Sequence, residues 1–301
     1  MVDLSLFSAR ATWCLTRHDL DAAGVTSRMI TTAVSSGHLI RARRGVYCHP
    51  SAPPHVVRAL RVGGLAACVT AAETYGLWVP QRRRTAVWLP ANASRLRNPM
   101  QRSAPIGTTP PHQLCTHWGA LREPELAKSW RVGPRDALRQ CLRCLPPEYA
   151  VAVLDSALQL GVVQPHDFES LSRGLSPTRR WWVSRADGRA ESGTETLVRL
   201  ALQDAGLHVR PQVTIAGVGR VDLLVGPSVV VEVDSESWHS TPAQRANDAR
   251  RGLALHERGY VVVRPNYQQA ESQRAQVVAA VWAAVRSTGT VVRSRRRVAR
   301  S

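Results

Sequence analysis

The sequence predicts a multidomain α/β protein, and three observations predict it. Residues 16–48 set two short helical stretches before a basic hairpin. Residues 134–160 carry apolar side chains at helical spacing, and from 193 to 286 short β-branched runs alternate with helical ones. The expected order is a winged helix-turn-helix (1–52), a mainly helical middle domain (53–175), a C-terminal α-β-β-β-α-β domain (176–288) and a disordered arginine-rich tail (289–301). A chain of 301 residues is long enough for two or three cores without staples.

At the front, Thr16 to Asp19 reads as a helix start, and Gly24 closes the short helix after LDAA. A second helix spans about 26–36 and ends at Gly37. LIRARRGVY then gives two short strands turned around Arg43, Arg44 and Gly45. Arg28, Thr31, Thr32 and Ser35 face outward from the second helix, as a recognition helix presents side chains to a major groove. Arg41, Arg43 and Arg44 lie on or beside the wing, within reach of phosphates. Winged helices also serve as protein-interaction modules, and the basic wing favours DNA.

The middle carries a helix in CVTAAETYGLWVP, a strand in RTAVWLP and amphipathic helices over 134–145 and 148–160. Asp155 reads as an exposed or capping carboxylate. Residues 172–193 are rich in Ser, Gly and Arg and read as a basic connector, with Trp181 and Trp182 covering a surface or stacking on bases. Cys141 and Cys144 form a CxxC in a helical context. With no second pair at zinc spacing, they read as buried packing.

The chemistry concentrates at 218–239. Asp222 sits inside VDLLV, and Glu232 and Asp234 occupy alternate positions of the next run. Residues i and i+2 of a strand share a face, so these two project together and a neighbouring strand can bring Asp222 beside them. Carboxylates on otherwise apolar strands are costly unless paired or metal-bound. A hard divalent cation suits such an oxygen cluster and activates water against a phosphodiester. Plainer readings stand beside these. Ser192 to Glu195 is a capping box, Asp222 could pair with Arg220, His239 could pack under Trp238, and Asp248 with Arg251 could be a solvated ion pair.

Glu195 opens the helix ETLVRLALQDAGL, with strands expected at 209–215, 218–225 and 229–234, a helix at 243–257, a strand at 260–264 and a last helix near 270–286. The same stretch supplies Ser192, Glu195, Leu197, Gly206-Leu207, Val221-Asp222-Leu223, Glu232-Val233-Asp234, Trp238-His239, Asp248, Arg251, Gly259-Tyr260 and Arg264. Over roughly 185–267 this resembles the PD-(D/E)xK nuclease fold, and most closely its Vsr-like branch, related to very-short-patch repair endonucleases. The resemblance implies that Asp222 and Glu232 hold Mg2+ (or Mn2+), with Asp234 as a further ligand and Glu195 orienting metal or water. It implies that His239 assists protonation or contacts phosphate and that Arg251 and Arg264 face the DNA backbone. Ser235 replaces the usual glycine, Ala249 the usual arginine, and Asp234 occupies the superfamily's lysine position. Residues 16–48 resemble the N-terminal domain of AbiEi-type antitoxins, whose pattern ends in a similar G.l.r..rGvY, and the middle resembles the domain that links the two.

Basic residues outnumber acidic ones 40 to 22, a formal charge of +18, which points to a polyanionic partner. Lys128 is the sole lysine, so the sign of the charge is informative and the choice of arginine is not. No run reaches 18 apolar residues and no secretory signal opens the chain, so a cytoplasmic protein with free thiols and no membrane segment is expected. No Walker loop, dinucleotide fingerprint or internal repeat is present. The expectation is a DNA-binding protein with a metal-dependent endonuclease domain. The alternative is an AbiEi-like antitoxin or transcriptional regulator with an inactive nuclease fold, acting with DNA and a cognate toxin or other protein.

Overall fold

The computed structural model describes residues 5–9, 12–81, 84–234 and 242–289. His239, Trp238, Ser235 and the arginine tail from 290 onward lie outside the described residues. The chain divides into two compact units, Met1–Leu145 with His166–Leu175, and Pro146–Pro165 with Ser176–Ser301.

The first unit opens with α1 (Ser5–Ala9) and β1 (Cys14–Thr16). Thr16 then caps α2 (Arg17–Ala22): its hydroxyl accepts the Asp19 N–H, and the Asp19 carboxylate accepts the Thr16 N–H at 2.8 Å. This reciprocal box satisfies two orphan donors. Thr26 caps α3 (Ser27–Ser35) from one side only, its hydroxyl accepting the Met29 N–H at 3.3 Å, and Gly37 at φ +77° lets the chain leave it. The hairpin of β2 (Ile40–Arg43) and β3 (Val46–Cys48) follows, and the sheet order is β1-β3-β2, antiparallel throughout. Leu20, Ile30, Ala33, Leu39 and Tyr47 close the core beneath.

Further along lie α4 (Pro54–Val62), β4 (Leu65–Ala66), α5 (Cys68–Thr74), β5 (Thr85–Leu89), β6 (Leu114–Trp118) and α6 (Pro134–Cys144). β4 pairs antiparallel and β6 parallel with β5. The expected strand at RTAVWLP is present, but it belongs to a three-stranded sheet that a mainly helical reading did not anticipate. β4 has only two residues and LCTHW no buried apolar alternation, so neither gives a strand signal. Gly64 marks where this sheet packs tightest: a Cβ there would lie 2.0 Å from the Trp88 carbonyl oxygen. Gly64→Ala is therefore expected to cost about 1–3 kcal/mol through forced displacement of backbone. Urea denaturation reads this directly, and an unchanged midpoint would contradict it.

The chain enters the second unit through α7 (Pro147–Gln159), returns to pack α8 (Phe168–Ser172) on α6, and crosses again with α9 (Pro177–Val183). α7, grouped by the sequence with the middle domain, packs against α9 and α10 (Gly193–Asp204). α9 falls in the stretch read as a connector. Its signal was Ser176-Pro177, an N-cap with proline at the first helical position. The Arg185 guanidinium lies 4.8 Å and 4.7 Å from the centroids of the Trp181 and Trp182 rings.

After α10 come β7 (Val209–Ile215), β8 (Gly219–Val225), β9 (Val229–Val231), α11 (Pro242–Glu257), β10 (Val261–Val263), α12 (Tyr267–Ser272) and α13 (Arg274–Ser287). The sheet order is β10-β9-β8-β7, with β7, β8 and β9 an antiparallel meander and β10 parallel to β9. A parallel return needs a crossover, which α11 supplies. The α-β-β-β-α-β order is thus present. Val229 and Val231 pack toward α10 and α13 on one face, while Val230 meets Leu255 of α11 on the other. The last helix, expected as one, is two, because Asn266 and Gln269 form a capping box that starts α12 early.

Asp155 corrects the sequence reading. It is 1% exposed on α7, neither a cap of its own helix nor a surface carboxylate. Its Oδ2 accepts from Arg199 at 2.8 Å and from the Thr196 hydroxyl at 2.7 Å, both on α10, and its Oδ1 accepts the Asp187 N–H at 2.6 Å. Among the described residues, no helix is long and apolar enough to cross a membrane.

Candidate functional site

The acidic residues of the second unit are drawn together by a detail of strand pairing. Beyond β9 the chain stays extended, with the Glu232 N–H on the Val263 carbonyl and the Asp234 N–H on the Pro265 carbonyl, each at 3.1 Å. The intervening Val233 N–H points the opposite way, where Asp222 Oδ2 accepts it at 2.8 Å. A carboxylate thus stands where a backbone carbonyl of β8 would otherwise continue the ladder. That bond fixes Asp222 against the Glu232–Asp234 segment.

Glu195 approaches from α10 and is buried. Ser192 Oγ accepts its N–H at 3.2 Å, as the capping motif predicts. Its own carboxylate, however, accepts the N–H of Glu191 at 3.0 Å and the Gln212 side-chain amide at 2.9 Å. Gln212 sits between the β7–β8 pairs Pro211–Leu223 and Val213–Val221, hence across from Asp222. Its φ of +52° is costly for a side-chain-bearing residue, and such backbone concentrates at functional sites. Sequence reasoning missed Gln212 because nothing in VRPQVTI announces that conformation.

Asp222 is half-buried, and its pKa is pushed up to about 6. Burial is the largest cause, followed by repulsion from Glu195, Glu232 and Glu191, while the Val233 N–H pulls the other way. This value lies above the roughly 3.9 of a free aspartate, so the folded state favours the proton. The stability that the neutral form contributes is full below about pH 4 and lost as pH rises through 6.

Glu232 is partnered differently. Arg251 reaches Oε1 and Arg264 reaches Oε2, each at 3.1 Å, and Arg251 also donates to the Arg220 carbonyl oxygen at 2.7 Å. Two arginines expected at a DNA backbone therefore meet on one carboxylate. Among the described residues, Glu195, Asp222 and Glu232 do not offer one oxygen each that all lie within 4.8 Å of one another. Asp234 is exposed at the end of its segment. Carboxylate oxygens of this kind are the donors that a divalent cation takes, and both of those on Glu232 are held by arginines here.

In the first unit Arg28, Thr31, Thr32 and Ser35 are all exposed on α3, as expected for a recognition face. Arg41 and Arg44 are exposed on the wing, but Arg43 is half-buried and donates to the Gly63 carbonyl oxygen. Burial holds its guanidinium below the ordinary arginine value. The wing arginines line a cleft of about 400 Å³ together with Arg61, Arg95, Arg97 and Arg102. Burial, then repulsion from Arg102 and Arg58, lowers the Arg61 pKa. Such crowding of like charge favours an anion. The loop arginines went unread because residues 90–105 carry no periodic pattern and only the fold brings them to the wing.

Residues 5–50 match the AbiEi antitoxin family of transcriptional regulators. The AbiEi match covers the capped helices and the wing and stops where the chain leaves β3. Over 264 residues the chain is also 29% identical to uncharacterized proteins from two strains of Mycobacterium tuberculosis, covering 79% of this chain and 89% of each relative. The likeness to those proteins extends well beyond the AbiEi segment.

Proposed function

We propose that this chain is a DNA-binding protein whose AbiEi-like winged helix engages the duplex and whose second unit hydrolyses or nicks phosphodiester bonds. The observation that carries the hydrolytic part is Asp222, held on the ladder edge with Glu195 and Glu232 pressing on it from two other elements. In this reading Asp222 and Glu232 hold Mg2+ or Mn2+. Held there, such an ion would supply polarisation of the phosphate and a water of lowered pKa. The Val233 N–H orients Asp222, and Gln212 positions Glu195 toward it. Arg251 and Arg264 keep Glu232 in place and offer their remaining N–H groups to a phosphate. Asp234 and His239 enter from their sequence positions alone.

A second reading has its own observation. Both oxygens of Glu232 already carry arginine partners, which fits a scaffold whose chemistry is spent and leaves an AbiEi-like regulator with its own operator and a toxin partner. One experiment separates the two: cleavage of labelled plasmid and short duplexes with Mg2+ or Mn2+, alongside duplex binding, for the native protein, Asp222→Ala and Glu232→Ala. The hydrolytic reading expects metal-dependent cutting. It should fall in both variants by more than the roughly 10–100-fold that losing even an outer partner of a metal ligand costs. Equal binding by all three proteins with no cutting would overturn it in favour of the regulator.

A further inference from the structure

The cysteines of the first unit converge in a way that their sequence spacing conceals. Cys115 and His117 are two apart on β6 and share a face, with Cys115 Sγ 3.5 Å from His117 Nε2. Cys141 and Cys144 are three apart at the end of α6 and share a helix face. Cys68 opens α5, its N–H held by the Gln140 side-chain oxygen at 2.8 Å and its φ at +46°. The ligand atoms of Cys68, His117 and Cys144 all lie within 4.8 Å of one another. The Cys68 and Cys144 sulfurs are 2.9 Å apart, and Cys115 bonds Cys144 as well.

We propose that Cys68, Cys115, His117 and Cys144 form a four-coordinate zinc site. Three sulfurs and one imidazole nitrogen are borderline-soft donors that suit zinc and disfavour magnesium or calcium. Zn–S bonds of about 2.3 Å place tetrahedral ligand sulfurs about 3.8 Å apart, so a small rotation of the Cys144 side chain opens the pair to the required spacing. Cys68 is buried while Cys115, His117 and Cys144 are half-buried, which leaves a path for the ion to enter. Cys141, fully buried 3.6 Å from Cys68 Sγ, stands behind the site as a hydrogen-bond partner of that sulfur. The other close thiols, Cys14 and Cys48, face each other across β1 and β3 at 2.7 Å. No third donor joins them among the described residues, so they form no such site. With four protein ligands the zinc is structural: it ties β6 to the start of α5 and the end of α6, and leaves no open position for catalysis.

The test is metal analysis of the full chain purified under reducing conditions, followed by replacement of zinc with cobalt. One bound zinc per chain is expected, with the visible bands of tetrahedral cobalt and a sulfur-to-cobalt charge-transfer band. Cys144→Ser and His117→Ala should each lose stoichiometric zinc, while Cys141→Ser keeps both zinc and spectrum. His117→Cys should keep the metal and raise the charge-transfer intensity by about one third, as four thiolates replace three. Chelation should lower the Tm by about 5 °C or more. Should a ligand variant fail to fold, the native chain's stoichiometry and cobalt spectrum decide the matter. Native protein that takes up no zinc, gives an octahedral cobalt spectrum, or carries a Cys68–Cys144 disulfide under those conditions overturns the proposal.

Discussion

Asp155→Ala is expected to destabilise the second unit by about 3–5 kcal/mol, the usual cost of removing one partner from a buried ion pair. Arg199 is 2% exposed and would keep its charge with no carboxylate beside it. The Thr196 hydroxyl and the Asp187 N–H would lose their acceptor as well. Burial pushes Asp155 up to about 6 against the pull of Arg199, so at neutral pH the carboxylate is ionised and paired. The sign of its own pH dependence follows. The folded value lies above the roughly 3.9 of an unfolded aspartate, so this group's contribution is full below about pH 4 and declines as pH rises through 6. Calorimetry of Asp155→Ala beside Asp155→Leu/Arg199→Met separates burial of an orphaned charge from loss of packing. The single variant should lose most of the stability, and the apolar pair should recover much of it. Equal losses in both would show that packing alone is at stake.

Replacing Arg41, Arg44, Arg95 and Arg97 together by glutamine is expected to weaken duplex binding by about three orders of magnitude at 0.15 M salt. Each phosphate contact contributes about 0.9 to the salt slope, so four lower it by about 3.6. These four are exposed arginines of the wing cleft, where Arg102 is exposed as well. Arg43, Arg61 and Arg102 instead donate to the carbonyls of Gly63, of Pro99 and Met100, and of Arg41. Changing those would mix stability with affinity. Fluorescence anisotropy across a salt series gives the slope. A variant that binds with the native slope would remove the cleft from the interface. Arg28→Ala on α3 would serve as the comparison, because a base-reading residue changes sequence preference more than slope.

Local signals were read well where they are local in origin. Thr16, Thr26 and Ser192 cap helices because a side-chain hydroxyl meets an N–H three residues away. Glycines at 24, 37 and 45 turn the chain because only they enter positive φ without strain. The strands of the second unit were legible because Val-rich runs buried on both faces have no other stable use. The two-residue β4 and the polar β6 escaped notice because their strand character comes from their β5 partner.

The sequence by itself determined the capped helices and wing, the α-β-β-β-α-β order and the candidacy of Glu195, Asp222 and Glu232. Those features follow from hydrogen bonds and side-chain periodicities spanning a few residues. Only the tertiary structure decided which groups meet: Gln212 with Glu195, two arginines on Glu232, Asp155 with Arg199, loop arginines beside the wing, and thiols from three elements around His117. The charge state of a buried carboxylate and the ligand set of a metal depend on distances between residues far apart in the chain, and packing sets those distances.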